Sequence, residues 1–352
     1  MGKISLYLII LSVVIAIMTM MNVVYAQQKP QQIYAVASYL QFSPGTPYCN
    51  PFSPSFIGDI GSWAPLAFYN VFNGQWWPVL ADNWTIQVLP NGSGILTVHL
   101  RKGFYWYNGS TAIPFTAWDV YAEFYIGIKA FNWFYPFMQP QYADEEVRVL
   151  DNYTIQFLFY KWSPTEWISL LTTWIDAPYA LWGPVVNELK SMSPSEALHY
   201  GSSNISTIAP PTCFTLAPWY LKSIGPNYIV RELDPPNILQ PWYAVFPFPS
   251  FQYYDNEYAT KYFGSISGQM TAIIGGEANW GIAGISAGQA QTYEAHGVDI
   301  STIIPSISID GLTINPNVYP WNIPQVREAI AYVINRSAIS VGWPKVPNPY
   351  LS

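Results

Sequence analysis

Leu96, Val98 and Leu100 alternate with Thr97 and His99, the two-residue period of a strand with one buried face. They close the stretch "WTIQVLPNGSGILTVHL", in which two apolar-rich runs flank a Pro-Asn-Gly turn, and this predicts a β-hairpin. A second hairpin is predicted in "VRVLDNYTIQFLFY", turning at Asp151 and Asn152, with Tyr153, Ile155, Phe157 and Phe159 on one face. Between the two, Asn108-Gly109 marks a turn. Thr116 and Asp119 have the spacing of a capping pair, and Ala117, Val120, Phe124 and Ile128 then recur at helical intervals.

The remainder of the chain is patterned less sharply. "IYAVASYL" reads as a buried strand ended by the loop "QFSPGTPYCNPFSPS". From Pro164 to Pro184 an apolar helical stretch is interrupted by Pro178. Residues 191–218, rich in Ser, Thr and Pro, read as a boundary. "WYLKSIGPNYIVREL" predicts strand, turn and strand. The segment "GQMTAIIGGEANWGIAGISAGQAQTYEAHG" predicts helix, Gly-rich turn, short strand and second helix. "ISIDGLTINPN" is read as a strand, and "IPQVREAIAYVINRSAI" as a helix with Pro324 near its start.

Residues 1–26 differ in kind. Lys3 precedes an apolar run from Ile4 to Val24, and Val24-Tyr25-Ala26 has the small-residue form of a cleavage site, which predicts a secretory signal. The run is nearly long enough to span a bilayer, so an uncleaved anchor is the alternative. No Cys follows it to accept a lipid. Asn-X-Ser/Thr occurs at Asn83, Asn91, Asn108, Asn152, Asn204 and Asn335, candidate glycosylation sites in an exported chain. Cys49 and Cys213 are either one disulfide or two separate buried thiols. Together these features predict an extracytoplasmic protein, held at or released from the outer face of the membrane, with an archaeal cell surface the expected setting.

Composition narrows the partners. Of 352 residues, 10% are charged and 17% aromatic, and the formal charge is −7. So little charge with so many aromatics describes a folded chain rather than a disordered one. The negative balance argues against nucleic acid, whose phosphates demand Lys and Arg.

Catalytic signatures do not survive inspection. "GISAG" places Ser286 where a nucleophile elbow would, but the only later histidine is His296, ten residues on, with Glu294 the sole acid between. Ser286 is read instead as the N-cap of the following helix. His99, His199 and His296 stand alone, so no metal site and no cofactor is expected. "ADEE", Ala143 to Glu146, reads as a solvated turn before a strand. Paired carboxylates could still meet from distant positions, which keeps a glycosidase among the alternatives. Trp76, Trp77, Trp106, Trp133, Trp242 and Trp280 sit beside Gly, Pro or Asn, where flat side chains either pack or line a groove.

The order of these pieces resembles the extracellular solute-binding proteins of family 5, the oligopeptide-, dipeptide- and nickel-binding proteins of ABC importers. The resemblance is carried by "FYNVFNGQWWPVLADNW", "LTVHLRKGFYWYNGSTAIPFTAWDVY", "VRVLDNYTIQFLF", "GQMTAIIGGEANWGI" and "GLTINPNVYPWNIPQVREAIAYVINRSAI", from about Ile33 to Ile339. It implies a two-lobed α/β periplasmic-binding-protein-like fold of type II with an extra subdomain. Residues 27–63 and 205–304 would form lobe I, 64–204 the inserted subdomain, and 305–352 the start of lobe II. Family members run well beyond this length, so the second lobe is expected to be truncated at Ser352. The family's acidic turn is altered, since Glu277 is followed by Ala278 and Asn279. The implied function is capture of a peptide or oligosaccharide between lobes and delivery to an ABC permease, without chemistry. Expected ligand contacts are Gln41, Ser43, Trp76, Trp77, Trp280 and Asn315. The alternatives are a structural or adhesive surface glycoprotein and a secreted glycosidase.

Overall fold

The computed structural model describes the backbone of residues 33–36 and, with their side chains except at 257, 258 and 287, residues 48–54, 64–70, 73–245, 257–278, 281, 287–299 and 314–335. The chain divides into two compact units, one of Met1–Ala35, Gln41–Asn70 and Gln75–Lys261, the other of Val36–Leu40, Val71–Gly74 and Tyr262–Ser352.

The core of the first unit lies beneath an antiparallel sheet. Strands β4 (Ala81–Val88), β5 (Gly94–Leu100), β8 (Val147–Asp151) and β9 (Thr154–Phe159) are ordered β4-β5-β9-β8. Both predicted hairpins are present, with Val88 opposite Gly94 and Asp151 opposite Thr154. Leu96, Val98, Ile155, Phe157 and Phe159 point into the core, as their alternation requires.

Helix α1 (Ala117–Phe131) packs under this sheet. Its start is fixed by the predicted pair: the Thr116 hydroxyl accepts the Trp118 N–H at 3.3 Å, and Asp119 Oδ2 accepts the Thr116 N–H at 2.6 Å. Asn132, in the left-handed region at φ 56°, ends it. The "ADEE" run is not a solvated turn. It forms a short helical turn, α2 (Ala143–Glu146), in which Glu146 is buried and accepts the Gln139 N–H at 2.8 Å. Asp144 accepts from Tyr125 Oη at 2.8 Å and pairs with buried Lys129 at 3.4 Å.

Helix α3 (Glu166–Thr172) is followed by α4 (Tyr179–Lys190), which begins after Pro178 and runs through Pro184. The Ser-rich segment read as a boundary holds a further helix, α5 (Pro194–Ser203). Its start is set locally, because Ser193 and Glu196 make a complete capping box with Pro194 in the first turn. Helices α4 and α5 both pack on α1.

A second sheet is ordered β1 (Ile33–Val36), β12 (Glu257–Lys261), β11 (Tyr228–Leu233), β10 (Trp219–Gly225). Two small hairpins complete the strands: β2 (Ala67–Asn70) with β3 (Gln75–Pro78), and β6 (Tyr105–Tyr107) with β7 (Ala112–Pro114). The turn of the second lies at Asn108-Gly109, with Gly109 at φ 90°. Helix α6 (Pro236–Val245) buries Trp242, and Trp106 of β6 is fully buried. Both indoles belong to the core.

The second unit contains α7 (Ile266–Ile274), α8 (Ala287–Ala295) and α9 (Pro324–Val333). Ser265 caps α7 by accepting the Gly268 N–H at 3.0 Å, and Pro324 occupies the first turn of α9 as predicted. No residue of α9 is buried, and one side of it borders an apolar groove of about 530 Å³ lined by Val326, Ala329, Ile330 and Val333. Ser286, the expected short strand before α8 and residues 307–313 of the strand expected in "ISIDGLTINPN" lie outside the described residues, and residues 314–317 of the latter are not strand. Among the described residues no helix is long and apolar enough to cross a membrane.

Candidate functional site

An open cavity of about 300 Å³ in the first unit combines acidic, hydroxyl and aromatic walls. Each wall has a local cause. Glu123 comes from the middle of α1, while Thr172, Thr173, Trp174 and Asp176 come from the end of α3 and the connection to α4. Trp133 lies on α1 at Gly127, where any Cβ would collide with the indole, so glycine is required for this close approach. Pro51 belongs to the segment 48–54, which is fastened at three points. Cys49 is bonded to Cys213, and Asn50 Nδ2 donates to the carbonyls of Ile205 at 2.6 Å and Ile208 at 3.0 Å.

The connection between α3 and α4 is docked on α1 by two carboxylates one turn apart. Glu123 Oε2 accepts the Asp176 N–H at 2.8 Å, and Asp119 Oδ1 accepts the Tyr179 N–H at 2.8 Å. On its other side Ile175 N–H donates to Ala64 O at 3.2 Å, and Trp174 bridges Pro65. Burial, reinforced by the nearby Asp176 charge, pushes the Glu123 carboxyl well above the usual carboxylate range. Burial also raises Asp119, to about 6, against the lowering effect of its hydrogen bonds. The carboxyl groups thus serve the backbone first. What the cavity offers a ligand is the half-open face of Trp174, the Trp133 ring and the acceptor lone pairs of Thr172 and Thr173, whose hydroxyls already donate to the carbonyls of Ile168 and Ser169.

Helix α3 links this cavity to an aromatic cluster. Its first turn carries Trp167, whose ring lies 5.3 Å from Trp76; Trp76 also meets Tyr69 at 5.0 Å and Trp84 at 5.3 Å. Tyr69 is exposed and the three indoles are half-buried. Trp76, on β3, is therefore the hub of a partly wet cluster of mutually tilted aromatic rings, whose open faces suit contact with a sugar ring or an apolar side chain. Its neighbour Trp77 is placed differently: its Nε1–H donates to Val245 O at 2.9 Å, which ties β3 to the end of α6.

Of the other expected contacts, Asn315 is exposed in the second unit, where its side chain accepts the Asn317 N–H at 3.0 Å in a local turn. Gln41, Ser43 and Trp280 lie outside the described residues. Glu123, Trp174 and Asp176 were missed. Their one sequence signal is the pair Asp119 and Glu123 in an otherwise apolar helical run, four apart and so on one face. Among the described residues no three His, Cys, Asp or Glu are grouped to hold a metal.

Three solved structures place this geometry among known folds. A periplasmic oligopeptide-binding protein of an oligopeptide ABC transporter from Thermotoga maritima, crystallised with mannohexaose, is 23% identical with a TM-score of 0.57, over 89% of this chain and 53% of that one. The ABC transporter-associated periplasmic binding protein DppA from Helicobacter pylori, in complex with the peptide STSA, is 18% identical with a TM-score of 0.53, over 91% and 60%. A binding protein from A. tumefaciens R10 in complex with mannopinic acid is 16% identical with a TM-score of 0.55, over 89% and 57%. These likenesses show a shared fold, and the present chain spans little more than half the length of each. No curated protein sequence matches it. Residues 76–340 match the family described as bacterial extracellular solute-binding proteins, family 5, middle region, and the chain belongs to that family.

Proposed function

We propose that this chain captures a solute outside the cytoplasm for an ABC importer and presents it to a membrane permease. The observation that carries this reading is the fold shared over 89% of the chain with a transporter-associated binding protein, within a family of extracellular solute-binding proteins. On this reading residues 27–63 and 205–304 form lobe I, 64–204 the extra subdomain and 305–352 the start of lobe II. The solute is an uncharged oligosaccharide or an apolar peptide. Two facts support that choice: the Trp76 cluster and the Trp174 face are aromatic, and Glu123 beside Trp174 is committed to a backbone N–H. The Thermotoga protein was crystallised with mannohexaose and the Helicobacter protein with a peptide, so both solute classes occur on this fold.

No bond is made or broken in this role. A glycosidase needs two carboxyl groups free to flank the scissile bond. Glu123, the better placed of the acids here, is fully buried and already hydrogen-bonded to the chain. Trp76, Trp77, Trp280, Gln41, Ser43 and Asn315 are the proposed solute contacts, with Trp77 acting through its ring because its N–H is already engaged.

Isothermal titration against mannan oligosaccharides and di- to nonapeptides tests the proposal. A dissociation constant near 1 μM, about 8 kcal/mol, is expected for one class. Trp76→Ala should weaken it by about 3- to 10-fold, the worth of one aromatic stacking contact. A null across the panel with folded protein overturns the capture reading, and release of free sugar would replace it with hydrolysis.

A further inference from the structure

We propose that Asn83 carries an N-linked glycan that shields the free edge of strand β4. The inference rests on the extracytoplasmic reading above. β4 is the end strand of its sheet: one side pairs with β5 from Asn83 opposite His99 to Val88 opposite Gly94, and no described strand pairs with the other side. A register shift lies between Ala81 and Asn83. Beyond it Trp84–Val88 is regular, about 17 Å of strand whose outward donors and acceptors have no strand partner among the described residues. This run contains no charge, Pro or Gly, and Ile86 and Val88 are 38% and 56% exposed. Such an edge is a template for pairing with a second chain. The opposite edge of the same sheet is protected differently. β8 carries Arg148 and Asp151 and has its own irregularity between Val149 and Asp151. β4 has a charge, Asp82, and an irregularity only at its start, and the stretch Trp84–Val88 carries neither.

The sequon Asn83-Trp84-Thr85 begins where the bare run begins. Trp84 turns inward to pack on Trp76, so Asn83, Thr85 and Gln87 share the outer face, and all three are exposed. The Asn83 amide engages only its exposed neighbour Asp82, at 3.1 Å. Two other sequons are closed by comparison. Asn108 Nδ2 donates to Thr212 at 3.2 Å while its Oδ1 accepts from Ser110 N, Ser110 Oγ and Thr111 N. Ser93, the hydroxyl of the Asn91 sequon, is buried and donates to Asn91 Oδ1 at 2.7 Å. Among the described residues, only β4 presents a sequon on an extended strand whose free side can add to a transferase by strand pairing.

The modifying step needs a sugar donor in the form of a lipid-linked oligosaccharide phosphate. Asn83 Nδ2 forms a bond to the anomeric carbon, the bond from that carbon to the phosphate oxygen breaks, and the lipid phosphate leaves with the electron pair. The amide surrenders one proton, and nothing is oxidised or reduced. A bulky, hydrated sugar chain then stands over the edge.

Glycopeptide mass spectrometry on protein purified from the cell that makes it tests the site. The Asn83 peptide should be mostly modified and the Asn108 peptide bare. A mostly bare Asn83 overturns the proposal. Glycans at Asn152, Asn204 or Asn335 without one at Asn83 would overturn it while leaving export intact. If no sequon is modified, the inference falls, and whether the mature chain begins after Ala26 judges export separately. Thr85→Ala and, independently, Asn83→Gln should each remove one glycan mass and shift the light-scattering mass from monomer to dimer or larger. Adding Ile86→Lys should restore the monomer. Variants that lose the glycan, keep the wild-type melting profile and stay monomeric would refute the shielding role.

Discussion

Glu123 Oε2, in the middle of α1, accepts the backbone N–H of Asp176 at 2.8 Å across a separation of 53 residues, and both groups are buried. A carboxyl group deep in a helical core thereby holds the connection that walls the candidate cavity. Glu123→Gln keeps an acceptor of the same shape, and the loss of stability at pH 5 should stay under about 1 kcal/mol. Glu123→Ala orphans a buried N–H and should cost about 1–3 kcal/mol from that group alone. Urea denaturation of the two variants checks the difference; equal losses would mean that the contact contributes nothing.

Asp234 gives a pH prediction with a definite sign. Its carboxyl is buried with neither oxygen hydrogen-bonded, and burial pushes it up to about 8 from an ordinary 3.8. The fold favours the neutral acid, so this stabilisation is complete below about pH 4 and is lost as the pH rises towards 8. Four pH units correspond to an effect on the order of 5 kcal/mol. Asp234→Asn, which cannot ionise, should match the wild type near pH 4 and be more stable at pH 8. Melting curves at the two pH values decide it, and parallel pH dependence would contradict the assignment.

At Gly201 two effects oppose each other. In an exposed helix, Gly→Ala is worth about 1 kcal/mol of added stability. Here α5 lies so close to α1 that a Cβ would overlap the carbonyl of Ala130, a backbone group within a helix that cannot step aside. Overpacking should win, with a net loss of about 1–3 kcal/mol. A gain in melting temperature for Gly201→Ala would show that the two helices can separate freely.

The bond between Cys49 and Cys213 closes a loop of 164 residues. The chain-entropy estimate for such a loop is about 5 kcal/mol, and losses on removal are typically about 2–5 kcal/mol. Replacing both cysteines by Ser should lower the urea midpoint accordingly. It should also loosen Pro51 and hence the cavity, read as quicker proteolysis near residues 48–54. An unchanged midpoint would mean that Asn50 alone secures this segment.

Local chemistry made much of the first unit legible from its residues. The hairpins around Pro90-Asn91-Gly92 and Asp151-Asn152, the Thr116–Asp119 cap and the start of α9 at Pro324 are each set by residues within a few positions of one another. Where local composition and local capping conflicted, as in residues 191–218, the Ser193–Glu196 box outweighed the turn-like content and a helix formed. The alternation in β9 even named its buried face.

The aromatic residues show where such reasoning ends. Trp76 and Trp106 sit in similar strings, yet one is the hub of a surface cluster and the other is fully buried. The order of hairpins, caps and helices along the chain was written in the sequence and sufficed to suggest the family. The pairing of Cys49 with Cys213, the burial of Glu123 beneath Asp176 and the bare edge of β4 were decided only when distant segments met. Burial and partnership are properties of three-dimensional neighbourhoods, and spacing along a chain carries them only within one helix or one hairpin.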